Sequence, residues 1–111
     1  MKTFKETDIK NLQRSLRKAW MLYDRNRKIC LNRALHVSGF YVCEVCASFE
    51  EKVYVDHIYP VVDPIHGWQG EPEYARRLFV PADDLQAICK KCHGRKTKGE
   101  NAMRRKAKEK K

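Results

Sequence analysis

Hydrophobic residues in the first third of the chain recur at three- and four-residue steps. Ile9, Leu12, Leu16, Ala19, Trp20 and Tyr23 form one stripe, with Arg14, Arg17 and Lys18 off it. That period predicts an amphipathic helix with Thr7 or Asp8 as its N-cap and with Trp20 and Tyr23 turned into the core. Asp24-Arg25-Asn26 is read as its break. Leu31, Ala34 and Leu35 predict a second helical piece, stopped near Ser38-Gly39 by a glycine able to take the left-handed conformation. Cys30 fits that piece as a small packing residue.

After Gly39 the period changes. Phe40-Tyr41-Val42 and the alternating run Lys52 to Ile58 are rich in aromatic and β-branched residues, and predict a β-hairpin turned through 47–51. Alternation puts Val53, Val55 and His57 on one face and Tyr54, Asp56 and Ile58 on the other. Pro60 ends the strand. Pro64, Gly67 and Gly70 mark 61–70 as loop, and Pro72 opens a short helix through Tyr74, Leu78 and Phe79 that Pro81 stops. Leu85 to Ile88 then leads to a basic helix from about Cys92, with a possible interruption at Gly99. The expectation is a small α+β fold in three parts: a basic helical region over 1–39, a core over 40–100 and a basic tail over 101–111.

The chain is 111 residues long and 42% hydrophobic, so it can bury only a modest core and a metal staple is physically reasonable. No apolar run approaches the roughly 18 residues that a bilayer span needs. Met1 to Glu6 has no apolar stretch like that of a signal peptide, so the cytoplasm is the expected location. The net charge of +10 is unevenly distributed: +7 over 1–42, −6 over 43–89 and +9 over 90–111. Basic arms suit a polyanion such as double-stranded DNA through phosphate contacts and counterion release, and the acidic centre suits a cation. The plainer reading makes both arms solvated helix faces. Neither a membrane nor a small-molecule substrate is expected as a partner.

Cysteine spacing adds the sharpest signal. Cys43-Glu44-Val45-Cys46 and Cys89-Lys90-Lys91-Cys92 are two short pairs separated by 42 residues, and a fifth cysteine stands apart. Each two-residue gap lets a tight turn aim both sulfurs at one ion, and four thiolates complete a tetrahedral zinc site. Buried free thiols or a redox dithiol are the alternatives. With four sulfurs committed, Asp56, His57 and His93 are left for other chemistry.

Asp56-His57 at a strand end, then Pro60, a loop, Asp84-Leu85-Gln86-Ala87-Ile88, Cys89-Lys90-Lys91-Cys92-His93 and Lys96-Thr97 resemble the HNH endonuclease family over roughly residues 40–100. The basic N-terminal helices and the stretch Lys96-Thr97-Lys98-Gly99-Glu100 look like those of small phage and prophage members. The resemblance implies a ββα-metal fold with structural zinc on Cys43, Cys46, Cys89 and Cys92. It implies metal-dependent DNA cleavage, with His57 as the general base on the attacking water. Asp56 and His93 would hold a catalytic Mg²⁺, Mn²⁺ or Ni²⁺. Where the family carries its middle asparagine this chain has Asp84, which can ligate a hard cation but lacks the amide donor that would fix the general base. Lys90, Lys91, Arg95, Lys96 and Lys98 are the candidate phosphate contacts. Other readings stay open: a hydrogen-bonded Asp-His pair in an adaptor that binds DNA without cutting it, and a nuclease active only with a phage terminase. His36 and His66 are expected on the surface.

Overall fold

In the computed structural model, which describes residues 5–109, four helices surround two small antiparallel sheets. Residues 1–4, on which much of the leader reading rests, and 110–111 of the basic tail lie outside the described residues. Among the described residues no helix is long and apolar enough to cross a membrane.

The predicted stripe forms α1 (Glu6–Tyr23), with Trp20 buried and Leu16 packed beside it. Two expectations fail here. Lys5 is the N-cap and makes no side-chain cap, so neither Thr7 nor Asp8 has that role. Tyr23 is 76% exposed, because the stripe turns off the core in the last turn. Asp24 is the whole joint between α1 and α2 (Arg25–Ala34). Its backbone N–H donates to the Trp20 carbonyl, while its carboxylate accepts from the Arg27 N–H at 2.8 Å. One residue thus ends one helix and caps the next. Gly39 does take a positive φ of 92°, five residues beyond the end of α2 and inside the turn that leads to the first strand.

The strands pair differently from the predicted hairpin. β1 (Tyr41–Val42) pairs with β2 (Phe49–Glu50), around the first cysteine pair. β3 (Tyr54–His57) pairs instead with β4 (Leu85–Ile88), with Asp56 opposite Gln86 and His57 opposite Leu85. Between β3 and β4 the chain makes the predicted loop and α3 (Glu71–Leu78), with Pro72 in its first turn, then one 3₁₀ turn over Ala82–Asp84. α4 runs unbroken over Lys90–Glu109, through Gly94 and Gly99, so the expected interruption and the boundary drawn between 100 and 101 both fall inside one helix. Of its part-buried positions, His93, Lys96, Glu100, Arg104 and Ala107 recur at helical spacing on one side, with Ala102 off it.

The β3–β4 ribbon divides the interior. Val55, Ala87 and Leu85 face a core of Trp20, Cys30, Ala34, Val61, Tyr74 and Leu78, supplied by α1, α2 and α3. Ile88 lies instead with Cys43, Cys89 and Cys92 in a second cluster.

One polar junction ties these parts together. Glu44, inside the first cysteine pair, accepts 2.8 Å bonds from Arg33 Nε and Nη2 and a 2.7 Å bond from the Ala87 N–H. Its own N–H donates to the Ala87 carbonyl at 2.9 Å, and Arg33 also donates to the Leu85 and Ala82 carbonyls. The Arg33 guanidinium holds the Glu44 carboxyl below the usual range. Replacing Glu44 by Ala leaves the Ala87 N–H and Arg33 without their acceptor, which should cost about 1–3 kcal/mol. Urea unfolding of metal-loaded protein checks this, and a loss below about 0.5 kcal/mol, the scale of a neutral surface change, would contradict it.

Candidate metal centre and candidate active site

Cys43 and Cys46 sit on the turn after β1, closed by an Ala47 N–H to Cys43 carbonyl bond of 2.9 Å and by Ala47 at φ 62°. Cys89 directly precedes α4 and Cys92 lies in its first turn. The four sulfurs all lie within 4.8 Å of one another. Cys46 Sγ and Cys89 Sγ are 3.8 Å apart, the edge of a tetrahedron whose metal–sulfur bonds are about 2.3 Å. Backbone N–H groups of Cys46 and Cys89 point at Cys43 Sγ at 3.5 and 3.3 Å, and that of Cys92 points at Cys89 Sγ at 3.5 Å. Such donors favour thiolate over thiol.

The sulfurs also compete for charge. Hydrogen bonds from Ser48 lead those that bring Cys46 down to about 6, whereas the bond to Cys89 leads the causes that push Cys92 up to about 12. Burial works to raise Cys43, but the backbone N–H groups around its sulfur outweigh it. Four thiolates this close need a cation among them, and the donor set fits a metal such as zinc. Cys30 stays apart: it is fully buried, and desolvation raises its thiol to about 11.

The remaining candidates fall on two faces of the β3–β4 ribbon. Asp56 points toward α4, where its carboxylate accepts from Gln86 Nε2 at 3.1 Å and pairs with Lys96 Nζ at 3.2 Å. His93 lies on that same face, its ring stacked on Tyr54 with centroids 5.5 Å apart. His57 points the other way, as the alternation predicted. Its ring lies 4.6 Å from Trp20, and Nε2 donates to the Leu78 carbonyl at 2.8 Å, satisfying one of the open carbonyls at the end of α3. A carbonyl can only accept, so that bond fixes the tautomer and leaves Nδ1 as the basic nitrogen. Burial lowers the His57 pKa and keeps the ring neutral near pH 7.

Asp84 lies at the end of the 3₁₀ turn, its carbonyl accepting from the Ile58 N–H at 3.0 Å, in a pocket shared with Tyr59, Glu73, Arg76, Arg77 and Val80. Among the described residues, only the four cysteines bring three or more ligand atoms within 4.8 Å of one another, so Asp56, His93 and Asp84 are not gathered into a ligand set. As arranged, they do not fit a second ion: Lys96 holds the carboxylate that the ion would need. Of the candidate phosphate contacts, Lys90, Lys91, Arg95 and Lys98 are exposed and line one groove at the start of α4, while Lys96 is turned inward. His36 and His66 are exposed, the latter paired with Asp63 at 3.0 Å.

Three features escaped the sequence reading: the Arg33–Glu44 junction, the Leu78 carbonyl as partner of His57, and Glu100 beside Lys96. Only the last had a signal, since Lys96 and Glu100 are one helical turn apart. Compared with protein-family models, with curated proteins and with solved structures, the chain gives no significant match to any.

Two measurements check this geometry. Removing metal with a strong chelator, or replacing Cys43 or Cys92 by Ser, should abolish the cooperative thermal transition; a transition that survives unchanged rules out metal as the staple. The His57 ring should titrate below its ordinary 6.5 by NMR. A neutral buried ring contributes stability that is complete above about 6.5 and is lost as pH falls through its depressed value. A midpoint above 6.5 would overturn the assignment.

Proposed function

We propose that this protein is a DNA endonuclease of the HNH type, stapled by zinc at Cys43, Cys46, Cys89 and Cys92. What supports the reading is the juxtaposition of β3, β4 and α4: two antiparallel strands with a helix across them, which bring the Asp56 strand against the helix face carrying His93. His57 is the general base. Its Nε2 is committed to the Leu78 carbonyl, so Nδ1 takes the proton of the attacking water, and burial keeps that nitrogen unprotonated at neutral pH. Lys90, Lys91, Arg95 and Lys98 hold backbone phosphates along the start of α4 without reading bases. The divalent ion that such a nuclease uses would neutralise charge on the scissile phosphate and the departing oxygen.

A second reading is favoured by a specific observation. His57 and the Asp56–His93 pair lie on opposite faces of the ribbon, and Asp56 is already paired with Lys96. Both features suit a zinc-stapled DNA-binding adaptor without catalysis.

Supercoiled plasmid incubated with zinc-loaded protein and Mg²⁺, Mn²⁺ or Ni²⁺ separates the two. Nicking that depends on the added ion and falls about 10²- to 10⁴-fold in His57→Gln, with DNA affinity intact, supports the endonuclease. Gln keeps a donor for the Leu78 carbonyl. A gel shift with no strand breaks in any of the three metals supports the adaptor.

A further inference from the structure

The groove at the start of α4 has a glycine among its cations. Lys90, Lys91, Gly94, Arg95 and Lys98 line it from the helix, and Cys89 and Glu50 of β2 complete the lining of a space of about 660 Å³. Three of the four cations lie one helical turn above or below Gly94 and the fourth is its chain neighbour, so they surround the glycine on one face. Glu50 is the single acid of the lining, and its carboxylate accepts from Ser48 Oγ at 2.9 Å. Four cations against one acid leave the groove positive.

Nothing in the fold asks for glycine at position 94. After proline, glycine is the poorest residue for a helix interior, because it loses the most freedom on folding and has no side chain to pack. A fold requires it where a side chain would collide or where the backbone takes a positive φ. Neither holds here: a Cβ at position 94 would meet no atom within 4 Å, and the positive-φ glycines are Gly39, Gly67 and Gly70. What the missing side chain does is deepen the groove, so that a ligand can come against the helix backbone itself. Charge and lining name the ligand. Among the described residues that line the groove none is aromatic, and hydrated cations without a stacking platform suit the phosphates of a nucleic acid, not its bases.

We propose that Gly94 is the point of closest approach for a DNA backbone phosphate, which seats over the bare helix backbone with Lys90, Lys91, Arg95 and Lys98 around it. The inference rests on the phosphate-groove reading and deepens it. It needs neither a catalytic ion nor cleavage, and it holds for the endonuclease and for the adaptor alike. The cations supply the attraction and the glycine sets the distance. Charge-assisted hydrogen bonds form only at contact distance, so a side chain that lifts the phosphate away from the helix lengthens several of them at once.

The test pairs DNA binding with thermal unfolding, on zinc-loaded protein without other divalent ions. A fluorescent duplex of mixed sequence is titrated and followed by anisotropy. Gly94→Ala and Gly94→Leu change no charge and introduce better helix formers, so both should raise the unfolding midpoint by a few degrees. Affinity should move the other way, falling about threefold for Ala and about tenfold or more for Leu, since losing one charged hydrogen bond is enough for the larger figure. Gly99→Ala is the comparison, because position 99 is equally uncrowded but is not part of the groove lining. It should raise the midpoint and keep affinity within about twofold. Unchanged affinity in Gly94→Leu, an equal loss in Gly99→Ala, or a midpoint lowered by either Gly94 variant overturns the proposal and leaves the phosphate groove standing. Failure of the unaltered chain to bind the duplex overturns both.

Discussion

Four sulfurs held within 4.8 Å of one another cannot all carry charge unless a cation lies among them, and the rest of the chain is arranged around that demand. The two cysteine pairs stand 42 residues apart in sequence, so bringing them together closes a long loop at an entropic cost that a modest core cannot easily offset. A bound metal offsets it directly. The consequence reaches well beyond the sulfurs. Cys89 is followed at once by α4 and preceded by β4, while Glu44 of the first pair bonds in both directions to Ala87 of β4. Closing the sulfur cluster therefore sets where β4 lies, and β4 in turn sets the register of β3.

From that register the two faces of the candidate site follow. Side chains alternate along a strand, so placing His57 opposite Leu85 sends it into the core with Trp20 and Leu78, and placing Asp56 opposite Gln86 sends it toward α4. The first environment is apolar and keeps an imidazole neutral. The second is crowded with charge. Two adjacent residues thus meet opposite electrostatic surroundings.

The sequence was legible wherever a local pattern decided the outcome. The stripe from Ile9 to Trp20, the alternation of 53–58, the proline at the start of α3 and the paired cysteines all appear where local geometry requires them. It was misleading where a distant partner decided. Strand Tyr54–His57 looked like the second arm of a hairpin with 40–42, yet its partner lies some thirty residues further on, because that pairing buries Leu85 and Ala87 in the core. Tyr23 followed the stripe but not the core, since the next helix begins two residues later and redirects the chain. Gly99 sits in α4 without breaking it: nothing crowds the position, so its cost is the modest loss of helix propensity that long helices absorb. Lys96 read as one more cation in a basic run. Only the fold shows which face of α4 it occupies.

That last distinction bears on how the positive charge of the chain is used. Charge along α4 is sorted by face: Lys90, Lys91, Arg95 and Lys98 stay in solvent, while Lys96 pairs inward with Asp56 and Glu100. The outer cations stay hydrated, and the field they set up is long-range and weakens with salt. The inner one is shielded from salt by its partly covered position and acts only over contact distance. One helix thus carries cations in two electrostatic settings, decided by which of its faces lies against β3.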